Sequence, residues 1–266
     1  MLKEVNGKVL VISGSDSSGG AGLQGDIKTI TALGGFSTNA ITAITNQDTT
    51  NVYDIYDLEA RIVEKQIKTV LKDIGADSIK IGMLSNGEII NSVSNVLSGY
   101  SNKIPIVLDP VMSSQTGVSL IKNDFIELLI KKMIPQSFLI TPNLPEAEIL
   151  LGRRMRTISD MLDSINSLRS LGSEAVLLKG GHLEGDLLLD ILITKESFFE
   201  YRSKKIETTS THGTGCALSS AIATGLAQSF GLKESVVRAR DFVYKAINSS
   251  PGYGKGSGPL NHCHSI

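Results

Sequence analysis

Short β-branched runs alternate with longer amphipathic stretches along the whole chain. Residues 8–12, 38–44, 78–81, 106–108, 138–140 and 175–178 read as strands. Apolar residues at helical spacing predict helices over 23–33, 58–73, 87–97, 124–133, 145–151, 158–171, 215–230 and 233–248. In the second of these, Ile62, Ile67, Val70, Leu71 and Ile74 fall on one side. Residues 187–193 and 198–201 read as a hairpin or meander. Strands that alternate with helices in this way imply right-handed crossovers and a mostly parallel sheet with helices on both faces. No Pro-, Gly- or Ser-rich linker, repeat or low-complexity tract divides the chain, so residues 1–266 read as one α/β domain. The Gly/Pro-rich stretch 251–259 reads as a loop.

Composition supports that architecture. Hydrophobic residues make up 41% of the 266, aromatics only 5%, and Trp is absent. The interior is therefore mostly Ile, Leu, Val and Ala, which suits a buried parallel sheet. A formal net charge of −1 without any basic run argues against a nucleic-acid or membrane surface. Cys216 and Cys263 cannot make a disulfide framework, which points to a reducing compartment. The apolar run 9–12 is too short for a signal-peptide core, and nothing later reaches a membrane-spanning length, so a cytoplasmic protein is expected.

Candidate chemistry lies at strand-to-helix junctions. The stretch Ser13-Gly14-Ser15-Asp16-Ser17-Ser18-Gly19-Gly20-Ala21-Gly22 lets backbone amides approach a ligand, or is simply a flexible turn. It is neither a Walker A loop nor a dinucleotide fingerprint. Leu108-Asp109-Pro110-Val111-Met112 points a carboxylate at the sheet's carboxyl edge, unless Asp109 merely forms a turn. In Thr141-Pro142-Asn143-Leu144-Pro145-Glu146, Asn143 and Glu146 can hold a magnesium ion through water or cap the helix that follows. Leu178-Lys179-Gly180-Gly181-His182 and Gly254-Lys255-Gly256 each place one lysine among glycines, suited to a phosphate. Thr211-His212-Gly213-Thr214-Gly215-Cys216 puts two glycines at the start of a helix, where first-turn amides and the helix dipole attract anions. Cys216 is then expected to have a lowered thiol pKa, or to be a small residue at a helix start. His262-Cys263-His264 is a poor zinc site and reads as a structural or disordered tail. Arg153-Arg154-Met155-Arg156 reads as a solvated loop.

In this order, from Val9 to His264, the motifs resemble those of the ribokinase superfamily, and most closely its hydroxymethylpyrimidine and phosphomethylpyrimidine kinases. The resemblance implies a ribokinase-like three-layer sandwich, ATP and Mg²⁺ as cofactors, and two successive phosphorylations of a pyrimidine. It further implies a homodimer. Carried over by position, Gly213, Thr214, Gly215 and Cys216 form the anion hole, and Cys216 replaces the superfamily's usual Asp base. Asp26, Gly14, Gln47, Met83 and Val111 surround the substrate. Thr211, Lys179 and Lys255 meet phosphates, and Asp109, Asn143 and Glu146 hold the metal. Gly25 stands where the family commonly has Ala. A pyridoxal kinase of the same fold is the alternative, against which Gln47 argues because such kinases often carry an apolar residue there. Sugar and nucleoside kinases usually keep Asp at the Cys216 position.

Overall fold

The computed structural model describes residues 4–112, 120, 123–181, 183 and 185–264; His182 lies outside these. The strands are β1 (Lys8–Asp16), β2 (Phe36–Gln47), β3 (Val52–Asp57), β4 (Ser78–Ile81), β5 (Ile106–Leu108), β6 (Leu139–Ile140), β7 (Ala175–Lys179), β8 (Leu187–Thr194) and β9 (Phe198–Lys204). They form one sheet in the order β3-β2-β1-β4-β5-β6-β7-β8-β9. From β2 to β7 across the sheet every pairing is parallel. The antiparallel strands β3, β8 and β9 lie at its two edges.

The helices are α1 (Gly22–Ala32), α2 (Ala60–Asp73), α3 (Gly87–Leu97), α4 (Asn123–Leu128), α5 (Leu144–Leu151), α6 (Ile158–Asp163), α7 (Ile165–Arg169), α8 (Thr214–Ala227) and α9 (Leu232–Asn248). Side-chain alternation along β1 shows why two helical layers are needed. Leu10 and Ile12 join one buried cluster with α2, α3 and α5, while Val9 and Val11 join another with α1, α8 and α9. Each fully buried aliphatic side chain contributes about 1.5–3 kcal/mol.

Parallel strands all end at one edge, which collects the segments after β1, β4, β5, β6 and β7. The chain leaves β1 for β2 on one side, and β4 lies on the other. That reversal is the topological switch point, where open α/β sheets bind ligands.

Several boundaries differ from the sequence expectation. β1 continues past residue 12 to Asp16, with a register shift between Ser13 and Ser15 that takes Gly14 into the strand. β3 was not foreseen; its pairing with β2 holds it, although all but Val52 face solvent. The helix expected over 158–171 breaks at Ser164, whose hydroxyl donates to the Met161 carbonyl. α4 runs into a π-helical turn, Leu129–Met133. Of the two readings of the 262–264 tail the structural one holds: His262 is buried and His264 lies against the Phe242 ring. Among the described residues no helix is long and apolar enough to cross a membrane.

Candidate active site

A cleft of about 1030 Å³ opens at the carboxyl edge of the sheet. Gly14, Gln47, Met83, Asp109, Val111, Asn143, Glu146, Lys179, Thr211 and Gly213 to Cys216 all line it. Residues far apart in sequence thus converge on one space.

The phosphate-type turn is built from backbone. Gly213 adopts φ +85° as the residue before α8, and a Cβ there would lie 1.9 Å from the Gly20 carbonyl oxygen. No L side chain fits that contact. Helix geometry leaves the Thr214, Gly215 and Cys216 amides without intrahelical partners. The Thr214 amide bonds the Thr211 carbonyl at 3.2 Å, so those of Gly215 and Cys216 remain for an anion. The Gly22 amide pulls the Cys216 thiol pKa down, and the Gly213–Gly20 contact ties the first glycine loop to α8.

Charged groups gather beside these amides. Lys179 Nζ donates to Asp109 Oδ1 at 3.0 Å, and the Thr141 hydroxyl donates to the same oxygen at 2.9 Å. A Cβ on Gly215 would stand 3.3 Å from Lys179 Nζ and 3.4 Å from Asp109 Oδ2. Burial raises the Asp109 carboxyl, but Lys179 and Lys80 outweigh it and hold the group below its usual range. Glu146 goes the other way: burial, with Asp109's charge adding and Lys179 opposing, pushes it up to about 7.

Asn143 and Glu146 form a capping box at the start of α5. The Asn143 amide donates to Glu146 Oε2 at 2.8 Å, and the Glu146 amide donates to Asn143 Oδ1 at 2.9 Å. Helix capping is therefore realised, and it leaves Glu146 Oε1 outside the box. Among the described residues no group of three or more His, Cys, Asp or Glu forms a metal cage. Two buried carboxylates, one of them raised mainly by burial, fit an ion such as magnesium that keeps most of its waters.

At the other end of the cleft, Gln47 closes β2. Its amide donates to the Ser17 hydroxyl at 2.8 Å, and Thr45 Oγ1 donates to its side-chain oxygen at 3.2 Å. Met83 lies close to Gly14, whose added Cβ would meet the Met83 sulfur at 3.2 Å.

Three expectations need correction. Asp26 does not line the cleft: it is fully buried, pairs with Lys80 Nζ at 2.8 Å and accepts the Ser220 hydroxyl at 2.7 Å. Lys255 is exposed outside the cleft, on a loop whose amide donates to Thr49 Oγ1. The Cys216 thiol is not lowered. Burial pushes it up to about 12; Lys80 pulls down, while Asp26 and Asp109 push up further. Two nearby carboxylates and desolvation outweigh the helix terminus.

Sequence reasoning gave no role to two other pairs. His212 Nε2 lies 2.8 Å from Asp16 Oδ2. Arg240 Nε donates to Asp190 Oδ2 at 3.2 Å, and Asp190 Oδ1 accepts the Gly180 amide. Asp190 was detectable as a lone carboxylate within the apolar run of β8, a position that requires a partner.

The phosphomethylpyrimidine kinase family model matches residues 16–261. Over 256 residues the chain is 40% identical to a thiamine biosynthesis bifunctional protein of Geobacter sulfurreducens, a match that takes 96% of this chain and 52% of that protein. It thus spans about half the length of that relative. It is 38% identical to a hydroxymethylpyrimidine/phosphomethylpyrimidine kinase of Rhizobium meliloti, covering 96% of each. Among solved structures, a phosphomethylpyrimidine kinase from Clostridium difficile matches with a TM-score of 0.80 and 42% identity, over 90% of this chain and 99% of that one. A pyridoxal kinase from Staphylococcus aureus in complex with pyridoxal matches with a TM-score of 0.89 and 34% identity, over 97% and 94%. The sheet is that of the ribokinase-like kinases. With its glycine turns meeting across one cleft and the family match running through both, the chain belongs to the phosphomethylpyrimidine kinases, a family of phosphotransferases.

Proposed function

We infer that the protein transfers the γ-phosphoryl group of ATP to 4-amino-5-hydroxymethyl-2-methylpyrimidine and then to its monophosphate. The product is the pyrimidine diphosphate used in thiamin biosynthesis. The observation that carries this reading is the meeting of the Gly213–Cys216 turn with the Gly14–Gly22 segment and Gln47 in one cleft.

Phosphoryl transfer asks mainly for positioning and charge stabilisation. Gln47 both donates and accepts, which matches an aminopyrimidine edge, while Met83 and Val111 pack the ring. The Gly215 and Cys216 amides meet the charge that develops on the transferring group, with Lys179 beside them. Thr211 supports the turn through its carbonyl, bonded to the Thr214 amide. Asp109 and Glu146 would hold magnesium, with Asn143 fixing Glu146 from the cap. When bound there, the ion would supply positive charge against the phosphates. Cys216 takes the hydroxymethyl proton, and its raised pKa makes it a scarce but strong base. Asp26 acts from beneath the cleft as the counter-ion of Lys80. The nucleotide base lies toward Ile206, Val237 and Tyr244.

The whole chain works as one kinase domain, supported by its single sheet. We place it in the cytoplasm as a homodimer, a reading supported by the exposed Ile44, Tyr53 and Tyr56 on the β2–β3 hairpin.

The pyridoxal kinase neighbour keeps pyridoxal as a second candidate acceptor. Purified protein is incubated with Mg-ATP and either the pyrimidine or pyridoxal, and phosphorylated products are separated and counted. We expect both mono- and diphosphate from the pyrimidine, with kcat/KM at least about tenfold above that for pyridoxal. Faster turnover of pyridoxal would transfer the assignment to that substrate.

A further inference from the structure

The Asp16–His212 pair takes no part in the steps above, yet it lies between the two loops those steps require. Asp16 ends β1 and is 4% exposed. Its Oδ1 accepts the Ser18 amide at 2.8 Å and the Ser18 hydroxyl at 2.7 Å. Its Oδ2 accepts the Ala21 amide at 2.8 Å and lies 2.8 Å from His212 Nε2. A carboxylate can only accept here, which makes Nε2 the protonated nitrogen of the ring. The Ser18 hydroxyl lies 3.2 Å from the same nitrogen.

This cluster folds the first glycine loop over the His212 ring. A Cβ at Gly20 would stand 2.4 Å from His212 Cδ2, and one at Gly213 would stand 1.9 Å from the Gly20 oxygen. The loops therefore dovetail without room for a side chain on either. On one side stand Gly14 and Gly22, walls of the acceptor pocket; on the other is Gly213, which aims the first turn of α8.

We propose that Asp16 and His212 are positioning residues for phosphoryl transfer, fixing the separation between the acceptor hydroxyl and the amides of Gly215 and Cys216. The proposal rests on the kinase reading above. Both residues line the cleft, and both act through the loops they join. A misplacement of about 1 Å can cost about 10²-fold in rate, so the effect falls on kcat rather than on binding.

The test measures kcat and both KM values for His212→Ala, Asp16→Asn, their double variant and His212→Gln, using whichever acceptor the wild-type protein phosphorylates. Each single loss is expected to lower kcat by about 10–100-fold, with KM for acceptor and ATP within about threefold of wild type. The double variant should be no slower than the worse single, since both break one link. His212→Gln restores a neutral donor and should recover about tenfold of the loss. Asp16→Asn conserves shape, so it answers for His212→Ala if thermal unfolding shows that variant to be misfolded. The proposal is overturned if the folded singles keep kcat within about threefold, if losses multiply in the double, or if only the KM values rise. A wild-type protein that phosphorylates neither pyrimidine nor pyridoxal ends the kinase reading and this proposal together. A working wild type with unaffected variants ends the proposal alone.

Discussion

Asp26–Lys80 and Asp109–Lys179 are both carboxylate–ammonium pairs, 2.8 Å and 3.0 Å long, and Cys216 feels charges from each. Length does not separate them; access does. The first has both side chains at 0% exposure, while in the second Lys179 keeps 14% and lines the cleft. A sealed pair cannot exchange its partner for a ligand. Its ammonium is held charged: burial alone would lower Lys80, and Asp26, with Cys216 and Asp109 adding, more than offsets that. An open pair can turn its cation toward a ligand, and Lys179 stands beside Gly215. The first pair thus serves as scaffold beneath the site and the second as part of it.

Cys216, between the two, gives the sharpest break. Cys216→Ala is expected to lower kcat by about 10²–10⁴-fold without unfolding the protein. A base acts deprotonated, and this thiol is held up to about 12, so wild-type kcat/KM should climb from pH 7 to about 9 without levelling off. The climb should vanish in the variant. ADP release measured across that range decides the matter: an unchanged kcat, or a plateau below pH 9, removes Cys216 as base.

Asp26→Ala strands a buried ammonium and should cost about 3–5 kcal/mol in urea unfolding. A loss below about 1 kcal/mol would mean that Lys80 is satisfied elsewhere and the sealed pair is not scaffold. Lys179→Met keeps the aliphatic stem but removes the cation. It should lower kcat by about 10²–10³-fold, roughly the loss of one charge-stabilising donor, while stability changes less than in Asp26→Ala. If Lys179→Met instead keeps kcat and unfolds as easily as Asp26→Ala, the two pairs are of one kind.

Local features were well legible. β4, α3 and β5 fall on the residues their apolar patterns predicted, because short buried runs and helical stripes are properties of neighbouring residues. β3 escaped because an edge strand facing water carries no apolar alternation; only its pairing with Ala43 to Gln47 makes it a strand. Within the cleft, the glycine turn before α8 and the lysine that ends β7 were legible as motifs. Asp26 was misplaced because a carboxylate one turn into a helix looks alike in sequence whether it faces a ligand or a buried lysine.

The order of strands and helices, and the kind of chemistry each junction could offer, belong to the sequence alone, since each depends on residues a few positions apart. Which carboxylate met which donor was settled only in the folded chain, by bonds spanning 54, 70 and 196 positions. The ionisation of Cys216 followed from the same packing, because desolvation and Coulomb forces act through space and not along the chain.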